Sequence, residues 1–402
     1  MTAQRVAVII AGAGARGAYE AGVLSKLLPH LDRAGARPTL YVGTSAGALN
    51  ATMLASTAHL PVGEQVTALL QAWRSIGVGD VFEPLAQTIP AALTRWAGQR
   101  LSVPGLRLNS ILSTAPLGRT VQRLVNWEQL RANLDRGDPA TLAVVATSTA
   151  GTGRSVVFVD QPGQNGAGFS DDRRPIDYVP TGIEPHHVLA SAAIPVLFPP
   201  IQVGRDWFLD GGVRLNTPLK PALALGADVV VVVATHPLDP QPAGPLTAAA
   251  SAPDVDDCLA QLLDVALGEP MVEDLRTMMK INALATHDYR VVPFLFCGPP
   301  DRSTLADLAA SAYDRPRGLL RNLFHPDLPL LSLLLAGDGA RRGELLSYLL
   351  FERDFVNRAI EAGQRDANRI LAGTADGAAV PWCTTASTPL TTPEPAISGR
   401  TP

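Results

Sequence analysis

The stretch DVVVVVA, residues 228–234, decides the fold. From Val229 to Val233 no polar residue alternates with the valines, so both faces of the strand must be covered by protein. Strands of that kind belong to a largely parallel sheet packed inside helices. Working outward, comparable runs occur at RVAVII (5–10), TLYV (39–42), LAVVAT (142–147), SVVFV (155–159), DWFL (206–209) and VVPFLF (291–296). Between them, AYEAGVLSKLLPHL (18–31) and EDLRTMMKINAL (273–284) have helical spacing. The class is α/β.

Composition narrows the function classes. The chain has 402 residues, 47% of them hydrophobic and 17% charged, which describes a compact globular protein. A net charge of −4, with no Lys/Arg block interleaved with aromatics, gives no reason to expect nucleic acid as a partner. Cys258, Cys297 and Cys383 are far apart and odd in number, which suits neither a disulfide framework nor a zinc site; a reducing cytoplasm is expected. The apolar run Val6 to Ala11 is too short for a secretory signal and ends in a glycine loop, so it reads as a buried strand. No stretch reaches the ~18 apolar residues of a membrane span. Contact with membranes is expected at their surface only.

Residues 84–125, rich in Pro, Arg and Leu, read as an insertion of short helices. LLRNLFHPDLPLLSLLLAG (319–337) is either a core helix interrupted by Pro326 and Pro329 or a segment that adsorbs to lipid surfaces. The Thr/Pro-rich tail from Thr384 has almost no large apolar groups and is expected to be disordered.

Three motifs carry chemistry. GAGARG (12–17) follows the first strand and opens a helix. Its letters match a dinucleotide-binding loop, but the second strand ends in GTSAG without the acidic residue that would hold a ribose. The same geometry offers backbone N–H groups of Gly12, Ala13 and Gly14 as an oxyanion hole. GTSAG (43–47) places Ser45 between Gly43 and Gly47, after a strand and before the helical AGALNATMLA, which is the pattern of a nucleophile elbow. Its place after only the second strand does not suit the α/β-hydrolase order of serine, acid, histidine. His236, in VVVATHP, is the best late histidine, whereas His186 and His187 read as a solvated helix start. In FLDGGV (208–213), Asp210 ends a strand and Gly211 and Gly212 follow, an arrangement that delivers a carboxylate into a cleft.

Together with SAAIPVLFPP (191–200) and NTPL (216–219), these blocks resemble, in content and order, the patatin-like phospholipases over roughly residues 5–300. That resemblance implies a three-layer α/β/α fold with a mainly parallel central sheet. It also implies a Ser–Asp dyad of Ser45 as nucleophile and Asp210 as proton acceptor, an oxyanion loop at Gly12, Ala13 and Gly14, and no metal or cofactor. Arg16, Gly17, Gly43, Gly47, Gly211 and Gly212 take the family's supporting positions. Arg16 is placed either to meet a lipid phosphate or to form a structural ion pair. Two departures stand out: Ala11 and Ala13 replace the acid and one glycine of the family's loop. The expected organisation is a catalytic domain over 1–300, a helical extension over 301–383 packed on it, and the tail over 384–402. The expected function is lipid acyl-ester hydrolysis on a phospholipid or neutral lipid. A histidine-dependent serine esterase, a nucleotide-binding oxidoreductase and a silent lipid-binding protein are the alternatives.

Overall fold

The computed structural model describes residues 4–101, 103, 108–151, 153–163, 168–238, 255–284, 290–314, 342–372 and 379–385. The segment 319–337 lies outside them, and of the tail only Thr384 and Thr385 lie within. In chain order the elements begin with β1 (Val6–Ile10), α1 (Gly17–Arg33), β2 (Leu40–Thr44), α2 (Ala46–Ser56) and α3 (Val62–Ser75). The region read as an insertion holds α4 (Leu85–Arg100) and α5 (Ala115–Leu124), followed by α6 (Trp127–Asp135). Then come β3 (Thr141–Ser148), β4 (Ser155–Asp160), β5 (Phe169–Asp171), β6 (Ile176–Pro180) and α7 (Pro185–Ser191). The chain continues through β7 (Ile201–Val203), β8 (Asp206–Asp210), α8 (Gly212–Leu215), α9 (Leu219–Ala224) and β9 (Val229–Val233). It ends with α10 (Val255–Leu284), β10 (Phe294–Cys297), α11 (Ser303–Tyr313), α12 (Arg342–Leu349) and α13 (Arg353–Leu371).

The strands form one sheet in the order β10-β9-β1-β2-β3-β4-β6-β5, with β8 paired to β3 and β7 to β8. From β10 to β3 every pairing is parallel. The valine run of β9 sits between β1 and β10, the placement its uniform apolarity requires. Side chains alternate between two cores. Val6, Val8 and Ile10 face a core shared with Leu24, Leu54 and Phe355 of α1, α2 and α13. Ala7, Ile9, Val230 and Val232 face a second one with Ala222 of α9 and Leu275 of α10. The result is three layers, helix on sheet on helix.

The differences from the sequence reading lie at the margins. β5 and β7 escape the sequence reading because each is three residues long, too short for a two-residue periodicity to develop, and β6, IDYVP, holds only a single apolar–polar alternation in its first residues. Val291 to Pro293 precede the last strand rather than belonging to it, and α4 runs 16 residues, longer than a short insertion helix. The C-terminal helices return to the beginning of the chain: the Tyr19 hydroxyl of α1 donates to Asp366 of α13 at 2.9 Å. No helix of the described residues is long and apolar enough to cross a membrane.

Candidate active site

The sheet itself brings Ser45 and Asp210 together. β2 runs along one edge of β3 as far as the pair Thr44–Val145, while β4 keeps the other edge through Thr147. β8 enters antiparallel and takes over the edge that β2 leaves, with Asp210 opposite Ala146. Ser45 is the next residue after β2 and Asp210 the last of β8, so two strand ends meet head on.

Ser45 has φ +54° and ψ −124°, a conformation that costs an ordinary residue ~1–3 kcal/mol and occurs at tight functional turns. The neighbours make it tolerable. A Cβ on Gly47 would lie 2.3 Å from the Ile10 carbonyl oxygen, so only glycine lets α2 start this close to β1. Ser45 is the N-cap of α2, at the positive end of the helix dipole. Its own N–H donates to Ser191 Oγ at 2.8 Å, and that hydroxyl donates onward to the Val145 carbonyl. Ser191 therefore fixes the turn. The sequence displayed Ser191 within SAAIPVLFPP but gave it no role, because its partner is 146 positions away.

Asp210 is held at every polar atom that has an interaction to make. Its N–H donates to Ala193 O at 2.8 Å, and its carbonyl accepts from Thr147 Oγ1 at 3.0 Å. The carboxylate accepts from the Gly212 N–H at 2.7 Å. Burial pushes its pKa up to about 6, and the neighbouring Ser45 side chain and the Gly212 N–H hold it from rising further.

The glycine loop lies against the serine: a Cβ on Gly12 would be 3.2 Å from Ser45 Cβ. Here the expected donor trio needs correction. The Gly12 N–H is spent on the Asn216 carbonyl at 3.1 Å, which leaves Ala13 and Gly14, whose N–H groups meet no acceptor among the described residues. Gly14 has φ +54° and passes so close to the Tyr348 carbonyl that a side chain has no space.

Arg16 does not face a ligand. It is 1% exposed and clamps α12, through an ion pair with Glu344 at 2.5 Å, a hydrogen bond to Ser347 Oγ at 2.7 Å and its guanidinium 4.0 Å over the Tyr348 ring. Of the two placements open to Arg16, the structure has the ion pair. Gly17 packs against Trp73 and Ala46, and Gly43 and Gly211 against backbone, all as close approaches beneath the site.

The histidines lie elsewhere. His236 is buried, its Nε2 is 3.3 Å from the Tyr348 hydroxyl, and burial with Arg16 and Arg302 nearby lowers its pKa to about 3. His187 is also buried, which corrects the solvated reading. Its Nδ1 accepts the Glu184 N–H at 3.0 Å, and burial pushes its pKa down to about 4. His186 remains at the surface beside Glu184.

Ser45 opens into a narrow cleft whose wall is almost wholly apolar, including Leu49, Trp73, Val121, Ile194, Phe198 and Phe351. Its floor is braced by a buried polar chain: Trp73 Nε1 donates to Asn50 at 2.7 Å, and Asn50 donates to Glu20 at 3.0 Å. Burial raises the Glu20 pKa well above the usual carboxylate range, and the hydrogen bond from Asn50 opposes that rise. Tyr348 and Leu349 of α12, with Phe351 just beyond it, line the same cleft, so residues beyond 300 help to build it. Among the described residues no group of His, Cys, Asp or Glu is arranged to hold a metal ion.

The sequence model of a family described as patatin-like phospholipase matches residues 8–223, slightly more than half of the chain. No curated protein matches it. Among solved structures, it is similar to VipD from Legionella pneumophila at 14% identity, covering 89% of this chain and 67% of that one with a TM-score of 0.32. A likeness at that level carries no argument about function.

Proposed function

The chain belongs to the patatin-like phospholipase family, and from that premise we propose that it is a serine acyl-ester hydrolase working through a Ser45–Asp210 dyad. The observation that carries this reading is the meeting of a strained serine at a helix N-terminus with a buried carboxylate of pKa about 6, beside an apolar cleft. The cleft suits an acyl chain, because burying apolar surface is favourable and no charged group lines the wall.

In the proposed reaction, Ser45 Oγ attacks the ester carbonyl carbon while Asp210 accepts the serine proton. The oxyanion of the tetrahedral intermediate accepts from the N–H groups of Ala13 and Gly14, with the α2 N-terminus behind the reacting oxygen. Asp210 returns the proton to the leaving alcohol. A water molecule then gives a proton to Asp210 as its oxygen attacks the acyl carbon, and when the bond to Ser45 Oγ breaks Asp210 returns that proton to the serine, which releases the fatty acid and restores the enzyme. A carboxylate of pKa about 6 is a better base than an ordinary aspartate and is still ionised at neutral pH.

A fluorophosphonate carrying an alkyl chain tests the proposal, since only an activated serine reacts with it. The wild-type protein is expected to be labelled at Ser45 and to lose hydrolysis of a soluble ester in step; Ser45→Ala is expected to take no label. Labelling at another serine, or full hydrolysis by Ser45→Ala, would overturn the assignment.

A further inference from the structure

An apolar cleft beside Ser45 leaves open how an insoluble ester gets to it from a bilayer. The described residues between Pro84 and Leu112 form a finger closed at its base, where the Glu83 N–H donates to the Ser113 carbonyl at 2.9 Å. The finger rests on the rim of the cleft. Ile111 and Leu112 donate their N–H groups to the carbonyls of Val196 and Leu197, each at 2.9 Å, and Ile194 and Phe198 on either side line the cleft. The next helix, α5, adds Leu117, Thr120 and Val121 to the wall.

At its far end the finger packs on none of the described residues. Every side chain described from Leu93 to Arg100 of α4 is exposed, with Leu93 at 62% and Trp96 at 50%; Leu101 follows at 77%, and on the rim Val196 is at 69%. A helix of this length is marginal in water unless its apolar side chains are covered, and no described residue covers these. Charge indicates what does. From Pro84 to Trp127 the sequence has five arginines (95, 100, 107, 119 and 123) and no carboxylate, in a chain whose net charge is −4. Arg100 lies 5.6 Å from the Trp96 ring centroid, and Arg123 is paired with Asp80 at the base of the finger. Exposed Leu and Trp on a helix that carries arginine but no acid is the composition of an element that lies in the interface of an anionic bilayer. A second copy of the chain does not suit this face, because a two-fold contact would bring the same arginines together.

We propose that α4 and the residues after it to Val103, with Val196 on the rim, dock the protein on anionic phospholipid bilayers and place the mouth of the cleft at the lipid surface. This rests on the hydrolase reading for its purpose, but the docking itself does not need Ser45.

The test uses full-length protein with Ser45→Ala, so that no lipid is consumed, and sedimentation with vesicles of phosphatidylcholine with or without phosphatidylglycerol. Partitioning is expected to be at least ~tenfold stronger on the anionic vesicles and to fall at high salt. Adding Leu93→Ser and Trp96→Ser is expected to weaken it roughly tenfold or more. The same pair of substitutions in the Ser45 protein is expected to leave hydrolysis of a soluble short-chain ester within about twofold, since neither residue lines the cleft. Vesicle binding that ignores the pair, equal binding to zwitterionic vesicles, or self-association that the pair abolishes would overturn the proposal. Vesicle binding that depends on the pair in a protein that hydrolyses no ester would leave docking standing and remove the hydrolase reading.

Discussion

Asp210 at the end of β8 and His236 just beyond β9 are equally buried, yet burial acts on them in opposite directions. Removal from water disfavours the charged form of each, which raises the carboxyl to about 6 and lowers the imidazole to about 3. Arg16 and Arg302 push the histidine further down, while among the described residues it is the Ser45 side chain and the Gly212 N–H that oppose the rise at Asp210. In this protein the aspartate is therefore the stronger base of the two. Burial thus weakens the histidine as a base, and it brings the carboxylate closer to the pH at which the proposed reaction would use it.

Substitution at each residue is the severest way to break that contrast. Asp210→Asn is expected to lower kcat/KM on a soluble ester by about 10³-fold or more, nearly as far as Ser45→Ala, because the two act as one unit whose losses do not add. His236→Asn is expected to keep at least roughly a tenth of the activity. Circular dichroism confirms that each variant is folded. A folded His236→Asn protein as inactive as Ser45→Ala would reverse the assignment of the base.

The same aspartate change sharpens the comparison through stability. The Asp210 pKa is raised from its unfolded value of 3.8 to about 6, so its folded form favours the proton. Below pH ~4 the group is protonated in both states and imposes no penalty. As pH rises through about 6 the buried carboxylate ionises, and the full cost is about 3 kcal/mol. Asp210→Asn is thus expected to be more stable than wild type by about 2–3 kcal/mol in urea at pH 8, and no more stable at pH 4. Equal stability at pH 8 would mean that Asp210 is not the strained, buried carboxylate described here.

The pH profile gives the smallest effect per step and the most direct reading. With Asp210 as base, kcat/KM rises with pH, about tenfold per unit below 6, and levels off above it. With His236 as base the limb would fall near pH 3 instead. Soluble ester is the substrate, so that the charge of a lipid surface does not distort the titration.

Much of this contrast was legible in the sequence, and the rest was not for definable reasons. The valines of β9, the small residues around Ser45 and the Asp-Gly-Gly after β8 are local signals: a strand covered on both faces, a strained turn and a strand end each impose demands on residues a few positions apart. Those demands pointed to the class and to the two residues proposed as nucleophile and base. The commitment of the Gly12 N–H to Asn216, the anchoring of Ser45 by Ser191 and the Arg16–Glu344 clamp are different in kind. Each joins residues far apart along the chain, 328 positions in the case of Arg16, and leaves no periodicity or spacing to read.

The sequence alone therefore determined the α/β class, the order of the motifs and the residues able to do chemistry, because backbone geometry selects residue types over short distances. Only the tertiary structure decided which of those residues meet and in what protonation state. Hydrogen bonds and desolvation act through space: the helix that returns from beyond residue 340 to Arg16 and His236 has no local trace, yet it lines part of the cleft, while burial with Arg16 and Arg302 nearby lowers the histidine pKa.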